Sequence, residues 1–199
     1  MGRVTIYVEG GGDSSEQRSR CRDGFEKLLK QAGFEGRMPR IVAGGGRNAT
    51  FDKFETALQD TDKIAILLVD SEDPVTQTPW AHLQMRDGWE RPAIAVDDQA
   101  QFMVTCMETW VMTDRAALRE FFGANLNEGA LLPLNDLEQR PRKQMQEALT
   151  QATRPCGRGR QYQKGKRSFQ VLAILNPATL RQHLPNFQRL VETLNGYLT

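Results

Sequence analysis

KIAILLV at residues 63–69, closing on Asp70, is the most apolar run in the chain. It carries no alternating polar positions, so a strand here must bury both faces. That is the condition of a central parallel strand covered by helices on either side. Upstream, RVTIYV at residues 3–8 is β-branched and aromatic and stops at Glu9-Gly10-Gly11-Gly12-Asp13, the pattern of a strand running into a glycine turn. Ser14 or Ser15 can cap a helix on which Phe25, Leu28, Leu29 and Ala32 share one face before Gly33 ends it. A second short strand at residues 40–43 ends in Gly44-Gly45-Gly46-Arg47. Asn48 or Thr50 then opens a helix with Phe51, Phe54, Ala57 and Leu58 on one side. The order β-α-β-α-β, with right-handed crossovers, defines an α/β fold around a mostly parallel sheet.

Beyond Asp70 the pattern predicts strands at 93–96 and 101–105, a helix over 108–122 and a loop over 123–135. A helix over 137–153 follows, with Pro141 marking its start, and final helices cover 168–175 and 185–198. Residues 154–166 are glycine-rich and basic, and are expected to be mobile when unbound.

Lys and Arg number 26 against 25 Asp and Glu, a net charge of +1, so bulk charge announces no polyanion partner. Local charge is uneven. Arg154, Arg158, Arg160, Lys164, Lys166 and Arg167 follow one another without an acid, while Asp70, Glu72 and Asp73 form an acidic group. Three widely spaced cysteines, Cys21, Cys106 and Cys156, offer no zinc spacing with each other or with His82 and His183, and point to a reduced, cytoplasmic protein. No apolar run is long enough to span a bilayer.

Glu9 with Asp13, and Asp70 with Glu72 and Asp73, directly follow two buried strands. In a parallel sheet all the carboxyl ends lie on one edge, so both groups face one crevice. If the strand order is 2-1-3, Glu9 and Asp70 are neighbours and within reach of one ion. Carboxylates crowded together repel, and a hard divalent cation relieves them; oxygen-only ligation favours Mg²⁺ or Mn²⁺. The bland alternative is solvated turn acids. The glycine turns lack the G-K-[ST] of a P-loop and the G-x-G-x-x-G of dinucleotide binders. Arg47, at the start of a helix on the same edge, is a candidate phosphate clamp. Trp80, His82, Trp89 and Trp110 either line a pocket or cover a core edge, and Tyr162 can stack on a splayed base.

Val8-Glu9-Gly10-Gly11-Gly12-Asp13 resembles the V-E-G-x-x-[ED] opening of the Toprim domain, especially its overcoming-lysogenisation-defect nuclease branch. Leu68-Val69-Asp70-Ser71-Glu72-Asp73 resembles the Toprim strand ending in D-x-D, with Glu72 in the third position and Asp73 beside it. The whole chain also resembles short bacterial Toprim-like proteins often encoded beside an ATPase, which tend to share an E-x-W segment, here Glu108-Thr109-Trp110, and a basic lysine-bearing stretch.

The resemblance implies a Toprim-like Rossmannoid three-layer core over 1–122. A C-terminal helical extension over 123–199 would carry the basic loop 154–167, the two packed as one unit. It implies Mg²⁺ held by Glu9, Asp70 and Glu72 or Asp73, with Asp13 and Glu108 as further ligands. Glu9, Asp70, Glu72, Lys164 and Lys166 would carry the catalysis. Arg47, Arg158, Arg160, Lys164, Lys166 and Arg167 would bind nucleic acid. The expected activity is metal-dependent hydrolysis of phosphodiesters in DNA or RNA. The expected setting is an effector of an ATPase-associated antiphage system, the ATPase being a separate protein. A homo-oligomer is compatible with this; a membrane partner is not. The competing readings are a catalytically silent module that holds nucleic acid or a protein, and a phosphate-receiver-type domain. The latter lacks a lysine at a later strand end.

Overall fold

The computed structural model describes residues 3–198, without the side chains of Arg3 and Lys166. Four strands, β1 (Arg3–Glu9), β2 (Arg40–Gly45), β3 (Lys63–Asp70) and β4 (Ala100–Met103), form an all-parallel sheet in the order β2-β1-β3-β4. Val8 stands beside Leu68 and Asp70 beside Met103, so Glu9 and Asp70 end neighbouring strands on one edge. The 2-1-3 order is therefore the one observed.

The two-sided apolarity of β3 divides as its pleat requires. Ile66 and Leu68 join Val4, Ile6 and Val8 of β1 in one core, while Ala65, Leu67 and Val69 join a second on the opposite face. The second core is covered by α2 (Arg47–Leu58) and α3 (Pro79–Asp87). The first takes α1 (Ser15–Leu29), α4 (Met107–Thr113), α5 (Arg115–Phe122), α6 (Arg142–Thr153), α7 (Lys166–Leu172), α8 (Pro177–His183) and α9 (Pro185–Tyr197). The last third of the chain thus returns onto the first. A Cβ on Gly24 of α1 would meet the Phe169 carbonyl of α7 at 2.8 Å, so only glycine allows these helices to approach so closely. Arg189 of α9 donates to the Ala100 carbonyl at 3.1 Å, covering β4.

Several elements differ from the sequence expectations. Residues 93–96 form a turn, with Ala95 N–H bonded to the Pro92 carbonyl, and Ile94 and Val96 exposed. The helix expected over 108–122 breaks at Asp114, whose carboxylate caps α5 by accepting from Ala117 N–H at 3.0 Å and also accepts from Asn176 N–H at 2.7 Å. α6 begins at Arg142, directly after Pro141. Two helices go unpredicted, although both carry visible signals: Pro79 at the start of α3 with Gly88 just past its end, and Asn176-Pro177 opening α8. All three cysteines are free and buried. Among the described residues no helix is long and apolar enough to cross a membrane.

Candidate metal centre

Glu9, Asp70 and Glu72 each present a carboxylate oxygen, and these oxygens lie within 4.8 Å of one another. β1 and β3 supply the first two directly from their ends. Glu72 is turned back toward them by a left-handed backbone, φ 68°, which a β-carbon disfavours and which costs on the order of 1–3 kcal/mol. Its N–H donates to the Thr105 carbonyl at 2.8 Å, holding the turn in place. His82 supports the same turn: its buried Nε2 meets the Ser71 carbonyl at 2.9 Å and so acts there as a donor.

Asp70 is 3% exposed. Its Oδ1 accepts from Met107 N–H, at the start of α4, at 2.9 Å. Burial, followed by the neighbouring Glu9 and Glu108 charges, pushes its carboxyl up from 3.8 to about 7, against the opposing pull of Lys164 and Arg142. Lys164 Nζ and Arg142 Nη2 each lie 3.9 Å from Asp70 Oδ2. A raised carboxyl stabilises the fold while protonated, so this contribution is complete below about pH 4 and is lost as the pH climbs through about 7. In EDTA, wild-type stability should fall across that window, and Asp70→Asn should flatten the fall. Parallel wild-type and variant urea curves from pH 4 to 8 would contradict the assignment.

Glu108, on α4, is fully buried. Its Oε1 accepts from the Tyr162 hydroxyl at 3.1 Å, and its Oε2 has no hydrogen-bond partner among the described residues. Burial and the Glu108 charge raise the Tyr162 pKa, so the phenol stays protonated and donates. Tyr162 is accordingly a buried anchor of the basic loop, not the exposed stacking platform expected from sequence. Arg167 further orders this loop by donating to the Gly159 and Gln161 carbonyls. These contacts give the loop a defined path across the first core. Arg158, Arg160 and Lys164 are exposed on it, and the Lys166 side chain lies outside the described residues.

Arg47 is not open to solvent. Its Nε and Nη2 donate to the two oxygens of Asp87 at 2.9 and 2.6 Å, and its Nη1 donates to Glu9 Oε2 at 3.1 Å and to the Asp70 carbonyl. The guanidinium also lies 5.0 Å from the Trp89 ring centroid, and Trp89 stacks on Phe51 at 4.1 Å. Asp87 and Arg86, which sequence analysis missed, sit at the end of α3. Arg86 meets Glu72 at 3.6 Å and Asp73 at 3.5 Å. Asp73 and Asp13 are exposed and stand outside the close triad. The tryptophans pack into the two cores, Trp110 edge-on to Phe25 and Phe187.

A cavity of about 290 Å³ opens onto Glu9 and Asp70, lined also by Gly10, Gly11, Gly12 and Lys164 among others. A Cβ on Gly11 would lie 2.8 Å from the Arg18 backbone, and its φ is +87°, so the glycine turn is required to keep this wall low. An all-oxygen donor set drawn within 4.8 Å around the buried Asp70, and a Glu108 oxygen that no described residue partners, together suit a hard divalent cation.

A parallel α/β fold with a carboxylate triad at the strand ends places the chain in a recognisable structural class. Its fold is similar to the C-terminal region of the Burkholderia pseudomallei OLD protein, with a TM-score of 0.54 and 14% identity, covering 100% of both chains. By sequence, the chain belongs to the family described as Domain of unknown function (DUF4276), whose model matches residues 8–195. No curated protein matches it.

Proposed function

We propose that this protein is a Mg²⁺-dependent, Toprim-like endonuclease that hydrolyses nucleic-acid phosphodiesters, with Mn²⁺ as an alternative ion. The single observation that carries the reading is the convergence of Glu9, Asp70 and Glu72 within 4.8 Å, with Lys164 beside them. Glu9, Asp70 and Glu72 would hold the metal, with Glu108 behind them as a further oxygen donor. When bound, the metal supplies an activated water and neutralises phosphate charge. The chain's own residues do the rest. Arg47 keeps the Glu9 carboxylate turned toward Asp70. Lys164, 57% exposed at its side chain, stands at the cavity wall where a phosphate oxygen would arrive. Arg158 and Arg160 extend the positive surface along the loop, and Arg167 adds its charge to it; Lys166, the other cation expected to bind nucleic acid, has its side chain outside the described residues.

Motif resemblance to the Toprim nucleases and the OLD-like fold support this class. The same resemblance supports a role as effector of an ATPase-associated antiphage system in the cytoplasm. There the chain would act with a separate ATPase and with DNA or RNA as substrate.

The test is incubation of the purified chain with mixed tRNA, single-stranded DNA and plasmid DNA in Mg²⁺, Mn²⁺ or EDTA, alone and with any ATPase found encoded beside it. Metal-dependent cutting of any of the three is expected. Nucleic-acid binding without cutting under every condition would favour a catalytically silent binding module. For the loop, neutralising Arg158, Arg160 and Lys164 together should weaken binding and reduce the slope of log K against log salt by about 2–3. An unchanged slope would remove the loop from the interface.

A further inference from the structure

We infer that Arg142 is a further residue of this site, the counter-ion of the acidic triad while no metal is held and a phosphate ligand once one is. The inference rests on the metal-dependent reading above. Arg142 pairs through Nη1 with Glu72, and its Nη2 lies 3.9 Å from Asp70 Oδ2. It therefore spans two members of the triad, whereas Lys164 meets Asp70, Arg47 meets Glu9 and Arg86 meets Glu72. Its position on α6 makes no sense for the helix itself. Arg142 is the first residue of α6, whose first turn holds no acid, and a cation there opposes the helix dipole. The carboxylates across the site account for its placement.

Arg142 comes from the far end of the chain, about seventy residues after the carboxylates it neutralises, and its side chain is 27% exposed. A metal ion and a guanidinium cannot share Glu72 and Asp70 without mutual repulsion. Arg142 must then give up the acids, and its planar fork of donors suits the incoming phosphate. Glu72 does not depend on Arg142 for its position. The Thr105 carbonyl holds its backbone and Arg86 lies 3.6 Å from its carboxylate.

The experiment titrates the purified full chain with Mn²⁺ alone, followed by calorimetry or by the loss of free-ion paramagnetic signal, and compares wild type, R142Q and R142K. R142Q should bind Mn²⁺ about tenfold tighter than wild type, because a competing cation is gone. R142K retains a point charge that cannot fork across two carboxylates, so it should fall between them, about threefold tighter. Turnover of whichever nucleic acid the wild type cuts should fall about 100-fold in R142Q. If Arg142 only braces Glu72, R142Q binds Mn²⁺ more weakly. That result, or equal affinity in all three proteins, overturns the proposal. Should R142Q not fold, R142K binding no tighter than wild type overturns it alone. Failure of every folded form to bind Mn²⁺ overturns the metal centre itself, a result distinguishable from a wrong role for Arg142.

Discussion

Replacing Asp70 with Asn should reduce metal-dependent cleavage at least about a thousandfold while leaving the Tm in EDTA within about 5 °C of wild type. The two expectations come from the same burial. Asp70 is 3% exposed and crowded by Glu9 and Glu108, which is why its carboxyl is pushed up to about 7. Asparagine keeps the oxygen that accepts from Met107 N–H at 2.9 Å, fills the same volume and removes a buried charge. What it cannot do is serve as an anionic ligand. Cleavage assays and thermal denaturation on one preparation measure both. Retained activity would remove Asp70 from the chemistry. A large loss of Tm would make Asp70 a structural residue first.

Arg47→Met should cost about 3 kcal/mol of stability, because it takes the main cation from two largely buried carboxylates and leaves Glu9 with the Asp70 N–H at 3.2 Å and Asp87 with Arg86 at 3.3 Å. The side chains of Arg47, Glu9 and Asp87 are 14%, 16% and 9% exposed, so solvent cannot replace the lost pair. Combining the change with Asp87→Asn should recover part of the loss, and a double-mutant cycle by urea denaturation measures how much. From sequence alone Arg47 is a candidate phosphate clamp, and a clamp removed would weaken nucleic-acid binding at near-constant stability. That pattern would restore the clamp. The geometry favours the other outcome, since the Arg47 fork faces Asp87 squarely and its remaining edge is spent on Glu9 and the Asp70 carbonyl.

Prediction and structure part company where local signals conflict with long-range partners. In the segment 137–153 Pro141 marks the helix start as the sequence suggested, but residues 137–139 form a separate short turn, and nothing local shows that this start lets Arg142 reach Glu72. The segment 108–122 reads as one helix because its apolar residues keep helical spacing. Asp114 breaks it to serve as a cap and to bind Asn176, a contact 62 residues away. Tyr162, set among glycines and cations, reads as an exposed aromatic. Its burial against Glu108 depends on the C-terminal third of the chain folding back onto the first core.

The sequence by itself determined the α/β class, the parallel run of the first three strands and the placement of Glu9 and Asp70 at strand ends on one edge; the 2-1-3 order that makes those ends neighbours came from the structure. These follow from local information: two buried strands, each read from its apolar run, and each stopped by a glycine turn or an acid. Only the tertiary structure decided that Glu72 and not Asp73 joins the triad, because that choice depends on one left-handed residue held by Thr105 and His82. Only it decided that Arg47 braces the site, since Asp87 lies 40 positions along the chain. And only it brought Arg142 to Glu72 and Asp70, because charges so distant in sequence meet where elements pack, and no period or motif records that meeting; Lys164, expected in the site from the resemblance, lies 3.9 Å from Asp70.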